Sequence, residues 1–196
     1  MFFTVCLARP GGDLLIREID RLRAAVGLTR RERPFHVDAW VVLPDHMHAV
    51  WTLPEGDCDH AGRWGAIKAR FSRELPTPPR RMSQMRRQDK GIWQRRFREH
   101  HIRGADEYER HVHYCWTDPV RHGLASLPSG WLYSSIHGDI AAGRVTPSWT
   151  RAVAAGDSGE PGAVQTLPTS GASPRRKPPS VPALQIAEPS ATAPGA

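Results

Sequence analysis

Cysteine is scarce in this chain, with three in 196 residues. Cys6, Cys58 and Cys115 are widely spaced, odd in number and never form a Cys-x-x-Cys pair. That pattern excludes a disulfide framework and a cysteine-rich zinc site, and it suits a reducing, cytoplasmic setting. Long apolar runs are also missing. The N-terminal stretch Phe2 to Ala8 is apolar, but it lacks a basic region ahead of it and is too short for a signal peptide or membrane helix. It reads as a first strand, and no membrane partner is expected. Acidic residues fall short as well, 20 against 27 Lys and Arg, for a net charge of +7. The basic side chains are spread through the sequence and are not gathered on one amphipathic helix, so nucleic acid fits better than a membrane surface. A merely soluble basic protein is the blander reading. From Gly156 to Ala196 aromatic residues are absent and Pro, Ala, Ser and Gly dominate. Such a segment cannot bury enough surface to fold. The expected organisation is one domain over residues 1–150 followed by a disordered tail, 151–196.

Within the domain, Gly11-Gly12-Asp13 supplies a turn and an N-cap. Leu15, Ile19, Leu22 and Val26 follow at helical spacing until Gly27 closes the segment. Phe35, Val37, Ala39, Val41 and Leu43 alternate as a strand, Pro44-Asp45 breaks it, and His46 to Leu53 pairs back as a hairpin. Arg63 to Leu75 reads as a helix on the stripe Trp64, Ile67, Phe71 and Leu75, ended by Pro76. Pro76 to Lys90 is proline-punctuated and basic without an apolar period, so it reads as a loop. It is either a phosphate-contacting flap or a solvated charged segment. Ile92 to Arg98 reads as a further strand. Its Trp93 and Phe97 suit the core or base stacking, while Arg95, Arg96 and Arg98 suit the surface.

The chemistry centres on His46-Met47-His48. A strand repeats every two residues, so both imidazoles project from one face, away from the face of Met47, Ala49 and Trp51. Two such imidazoles can jointly hold a divalent metal. A third helix, Asp106 to Asp118, is expected to stop at Pro119 and to turn Tyr108, Val112 and Cys115 inward. At about 100° per residue, His111, Tyr114 and Asp118 share another side of that helix. Laid over the face bearing His46 and His48, that side would bring a phenol and a carboxylate to the histidine pair, a set suited to phosphoryl transfer. Ordinary core packing is the commoner explanation of such a pattern, and spacing alone does not carry the chemistry.

A wider set of motifs is more specific. Trp40 to His48, then Trp93-Gln94-x-Arg96-Phe97-x-Glu99-His100-x-Ile102-Arg103, then His111-Val112-x-Tyr114, Pro119 to Gly123 and Trp131-x-Tyr133-Ser134-Ser135 together resemble the REP-associated tyrosine transposases. These are relatives of the IS200/IS605 transposases, and the likeness runs in order from Phe2 to about Ile136. The resemblance implies a HUH endonuclease of the α+β class, with a ferredoxin-like antiparallel sheet, helices on one face and a nuclease site on the other. It implies Tyr114 as the nucleophile forming a 5′-phosphotyrosine link, and His46, His48 and Asp118 as ligands of Mg or Mn. It further implies a protein, expected to be a monomer, that cleaves and rejoins single-stranded DNA at hairpin-forming palindromic repeats without ATP. Lys68, Arg70, Arg95, Arg96, Arg98, Arg103 and Arg121 are the candidate DNA contacts. A domesticated hairpin-binding protein that does not cut, and a nuclease using water in place of tyrosine, are the competing readings.

The chain departs from the family pattern in places. It opens at Phe2 without the longer N-terminal lead that helps relatives read the repeat, so the expectation is a late start or a reduced reading surface. Arg98 stands where relatives often have Trp. Asp118 stands where they typically have Asn or Gln. Aspartate is a good hard oxygen ligand for Mg or Mn and adds a negative charge, so metal binds more tightly while the scissile phosphate is attracted less. Asp118→Asn is therefore expected to weaken Mn binding in a calorimetric titration, and an unchanged or higher affinity refutes this assignment.

Overall fold

The computed structural model describes residues 1–151, so the expected tail beyond Arg151 lies outside the described residues. Strand β1 (Phe2–Cys6) is followed by two helices, α1 (Leu14–Arg17) and α2 (Ile19–Glu32). Strands β2 (His36–Val42) and β3 (His46–Thr52) form the expected hairpin, then α3 (His60–Ser72) and α4 (Met82–Arg86) lead to the short β4 (Arg98–His100). Helices α5 (Ala105–Arg121) and α6 (Ile136–Ala141) complete the described chain, with a 3-10 turn at Pro128–Gly130 between them. The strands form one antiparallel sheet in the order β2-β3-β1-β4. With α2 joining β1 to β2 and α3 joining β3 to β4, this is the ferredoxin-like α+β arrangement.

Period-two alternation divides the sheet between two apolar clusters. Phe3, Val5, Met47, Ala49 and Trp51 pack with α2 and α3 on one face, through Leu22, Val26, Trp64, Ile67 and Phe71. Phe2, Val41 and Val50 pack on the other face with Val112, Cys115 and Trp116 of α5. The expectation of helices on one face holds for α2 and α3, while α5 crosses the second face and covers part of it. The expected apolar row of β2 is split. A register shift between Val37 and Ala39 marks a bulge, so Phe35 and Val37 join the first cluster whereas Ala39, Val41 and Leu43 join the second. An extra residue in one strand reverses the facing of everything beyond it.

Several element boundaries differ from those read in the sequence. Gly27 lies inside α2, which continues to Glu32, and a separate short α1 precedes it. Asp13 sits at the N-cap of α1 without a side-chain capping bond. Helix α3 begins earlier and ends at Ser72, with Leu75 buried just beyond it. The basic segment Pro76 to Lys90 is not a plain loop, since it contains α4. It is tied back by Lys90, whose Nζ donates to the carbonyls of Ser72 (2.6 Å), Arg73 (2.6 Å) and Leu75 (3.3 Å). A cation there serves the carbonyls at the C-terminal end of α3. The expected strand around Trp93 shrinks to a single bridge, Leu7 with Trp93, and regular pairing starts only at Arg98. Trp93 and Phe97 belong to the core side of their two readings.

The largest correction is in α5, which does not stop at Pro119 but runs through it to Arg121. Val112, Cys115, Trp116 and Pro119 are all buried, and this packing outweighs the one backbone bond that proline removes. Tyr108, expected inward, is exposed near the start of the helix with its hydroxyl 3.4 Å from Asp38 Oδ1.

The first cluster supports the register of β3. Trp64 is fully buried and stacks on Trp51 with 4.1 Å between ring centroids. Trp64→Ala is expected to cost about 3–5 kcal/mol, seen as a lower urea midpoint with an unchanged slope of the unfolding transition.

Candidate active site

Strand β3 and the last turns of α5 bring three ligating side chains together. His46, His48 and Asp118 each offer an atom lying within 4.8 Å of the others. Among the described residues no other group of three could hold a metal ion. Asp118 Oδ2 is 3.3 Å from His48 Nε2 and 3.6 Å from His46 Nε2. His48 and Asp118 are almost completely buried, and neither His48 Nε2 nor Asp118 Oδ2 has a hydrogen-bond partner. Buried polar atoms are nearly always satisfied, so two such atoms aimed at one point describe a binding position. Two imidazole nitrogens and a carboxylate oxygen make a donor set for a divalent metal ion.

The far nitrogens of both imidazoles are also held. His46 Nδ1 donates to Asp45 Oδ1 at 2.7 Å, and His48 Nδ1 lies 3.0 Å from Thr4 Oγ1. Such partners fix ring orientation and leave each Nε2 directed into the site. Thr4 reaches His48 because the two residues are directly paired across β1 and β3. Neither Thr4 nor Asp45 was identified from the sequence as a site residue. The aspartate next to His46 was the one available signal, read only as a strand break. His122 was also missed. It follows Asp118 by one turn, its Nε2 lies 3.7 Å from Asp118 Oδ1, and its ring is 5.1 Å from that of His46.

Tyr114 precedes Asp118 by one turn of α5, and its ring stands edge-on to His48 at 5.1 Å between centroids. Phe2 fills the space beside them, stacked on His48 and edge-on to Tyr114. Arg121 places its guanidinium 4.8 Å from the centre of the Tyr114 ring. The site thus collects a phenol, two imidazoles, a carboxylate and a cation on one face of the sheet.

The candidate DNA contacts divide by location. Arg121 is at the tyrosine. Arg98 pairs with Thr4, and directly opposed residues share a sheet face, so it stands on the side of the histidines. Arg96 and Arg103 are exposed, and Arg95 lines a cleft near Trp93. Lys68 and Arg70 are not brought to the site. They belong to α3 behind the sheet, where Lys68 Nζ donates to the Gln94 carbonyl and lies over Trp93 and Phe97. Arg70 is engaged by Thr29 and Glu32.

No protein-family model matches the chain. Over 159 residues it is 41% identical to the REP-associated tyrosine transposase of Escherichia coli K12, covering 81% of this chain and 89% of that protein. The chain belongs to the REP-associated tyrosine transposases. A Haemophilus influenzae protein bearing the same family name is 37% identical over 150 residues, covering 76% of this chain and 85% of its own length. The solved structure of a REP-associated tyrosine transposase bound to a REP hairpin matches with a TM-score of 0.70 at 41% identity, over 82% of this chain and 90% of that one. The protein is accordingly a transposase, built on the α+β fold of that structure. Among the described residues no helix is long and apolar enough to cross a membrane.

Within this transposase the buried carboxylate acts on the titration of His46. Burial alone lowers the pKa of His46, but the Asp118 and Asp45 carboxylates outweigh it and push the value up to about 9. Burial likewise raises that of Asp118, yet His46 and His48 hold it well below the usual carboxylate range. A histidine whose folded-state pKa is raised contributes stability that is fully present below its ordinary value near 6.5 and is lost as pH rises through 9. In EDTA, the melting temperature of the protein is therefore expected to fall between pH 7 and pH 9.5. His46→Gln should flatten that dependence, and the same slope in both proteins contradicts the assignment.

Proposed function

We propose that this transposase cleaves and rejoins single-stranded DNA at hairpin-forming repeats through a covalent bond to Tyr114, with His46, His48 and Asp118 holding Mg or Mn. The observation carrying this reading is the convergence of the buried His48 Nε2 and Asp118 Oδ2 with His46 Nε2, on the same sheet face as the Tyr114 ring. A relative solved with a REP hairpin bound supports hairpin DNA as the partner.

In the cleavage step the Tyr114 oxygen attacks the scissile phosphorus. The phosphorus–O3′ bond breaks, the 3′ oxygen leaves as a hydroxyl after taking up a proton, and the 5′ phosphate remains as a tyrosyl ester. A 3′-hydroxyl attacking that ester reverses the step, so the energy of the broken phosphodiester is kept and no nucleotide cofactor is needed. A bound divalent ion supplies Lewis-acid polarisation of the phosphate. Arg121, beside the ring, stabilises negative charge on the phenolic oxygen and on the phosphate approaching it. Thr4 and Asp45 keep the imidazoles pointed at the site, and Phe2 excludes water from one side of the tyrosine.

Incubation with labelled hairpin DNA and Mn is expected to give a protein–DNA adduct stable to denaturation. Tyr114→Phe should abolish it and EDTA should prevent it, while His46→Ala should lose cleavage far more than hairpin binding. Persistence of the adduct in Tyr114→Phe, or its absence from the unaltered protein across varied hairpins, would overturn the proposal. Binding without any adduct would instead favour a domesticated, non-cutting protein.

A further inference from the structure

Attack by Tyr114 on phosphorus requires that its phenolic proton pass to a base. His111 lies one turn before Tyr114 on the same side of α5. Both rings pack on Phe2 of β1, with centroids 4.6 Å and 5.7 Å from it. Long side chains on an α-helix lean toward its N-terminus, over the residues three and four positions earlier. That direction carries the Tyr114 hydroxyl toward the turn holding His111. Both side chains are half-buried, so neither is sealed from an incoming phosphate.

The hydrogen bonds around His111 decide which of its nitrogens is basic. Its Nδ1 lies 2.7 Å from the Glu107 backbone carbonyl. A carbonyl oxygen only accepts, so Nδ1 carries the hydrogen and the neutral ring keeps its lone pair on Nε2. The Glu107 carboxylate is committed elsewhere. One of its oxygens accepts from His100 Nε2 at 2.6 Å and the other from the Arg103 amide at 2.7 Å. His100 comes from β4, where it pairs with Phe2. Its ring lies nearly parallel to that of His111, with 5.0 Å between centroids and 20° between planes. His111 is thus flanked by Phe2 and His100 while its Nδ1 is tied to its own helix. Burial lowers its pKa below the usual 6.5, and His100 and Arg110 add to the fall, against opposing pulls from the Glu107 carbonyl and carboxylate. The proton-accepting form therefore predominates at neutral pH.

We propose that His111 Nε2 is the general base that takes the phenolic proton as Tyr114 attacks phosphorus. The phenolic O–H bond breaks as the N–H and O–P bonds form, the P–O3′ bond breaks, and O3′ takes a proton from solvent. In rejoining, the imidazolium returns its proton to the departing phenolic oxygen. The Glu107 carbonyl, accepting from Nδ1, supports the positive charge in between. This rests on the tyrosine chemistry of the preceding section. The test is single-turnover cleavage of labelled hairpin DNA by the full chain at saturating Mn, followed as covalent adduct across pH. His111→Asn keeps a donor for the Glu107 carbonyl but removes the base. It is expected to slow adduct formation by about 100- to 1,000-fold near pH 7, with hairpin affinity changed by less than about twofold. Its rate should climb about tenfold per pH unit between about pH 6 and 8, as hydroxide replaces the base, whereas the unaltered protein levels off once His111 is neutral. Added imidazole should restore much of the rate to His111→Ala. Equal rates, or a loss uniform across pH and untouched by imidazole, overturn the proposal and leave the tyrosine nucleophile in place. No adduct from the unaltered protein overturns both.

Discussion

A carboxylate buried to 1% exposure between two imidazoles is the constraint on which the rest of this molecule depends. An unpaired charge at that depth would be expelled or neutralised. Asp118 is retained because His46 and His48 approach it from the neighbouring strand. For that meeting to occur, α5 must cross the sheet and continue one turn past Tyr114, through Pro119. The helix that a proline should have ended is held by Val112, Cys115 and Trp116 pressed against β2 and β3.

The two faces of the sheet divide the work. Behind it, the tryptophan-rich cluster under α2 and α3 fixes the register of β3 and so decides which way the histidines point. In front, residues one layer further out decide how they point: Thr4 holds one imidazole and Asp45 the other. A strand slip of one residue would send Met47 into the site and both histidines into the apolar core. The bulge beside Asp38 is tolerated because it lies at the far end of β2 from the residues paired with His48 and Met47.

Membership of the REP-associated tyrosine transposases accords with this division. The site is assembled from a hairpin and one helix that are separate in sequence. The basic side chains are less uniform than their spread along the chain implies. Arg98 and Arg121 join the site, Arg95 lines a cleft at the sheet end, and Lys68 and Arg70 are taken up by contacts behind the sheet. Charge alone carries no direction, which is why these roles were not separable before folding.

The hairpin, the helical stripe of Trp64, Ile67 and Phe71, the paired orientation of His46 and His48, and the shared side of Tyr114 and Asp118 were all legible in the sequence. Each follows from a local period of two or 3.6 residues, and the family motifs supplied the order. The passage of α5 through Pro119, the exposure of Tyr108, the split of the β2 row at its bulge and the helix within Pro76 to Lys90 were not legible. Those features are settled by packing between distant segments, which outweighs local preference. The same holds at the His46, His48 and Asp118 cluster, where the sequence pointed to the three side chains but only the tertiary fold brought Thr4, Asp45 and His122 around them, because contacts between strands and helices have no local period.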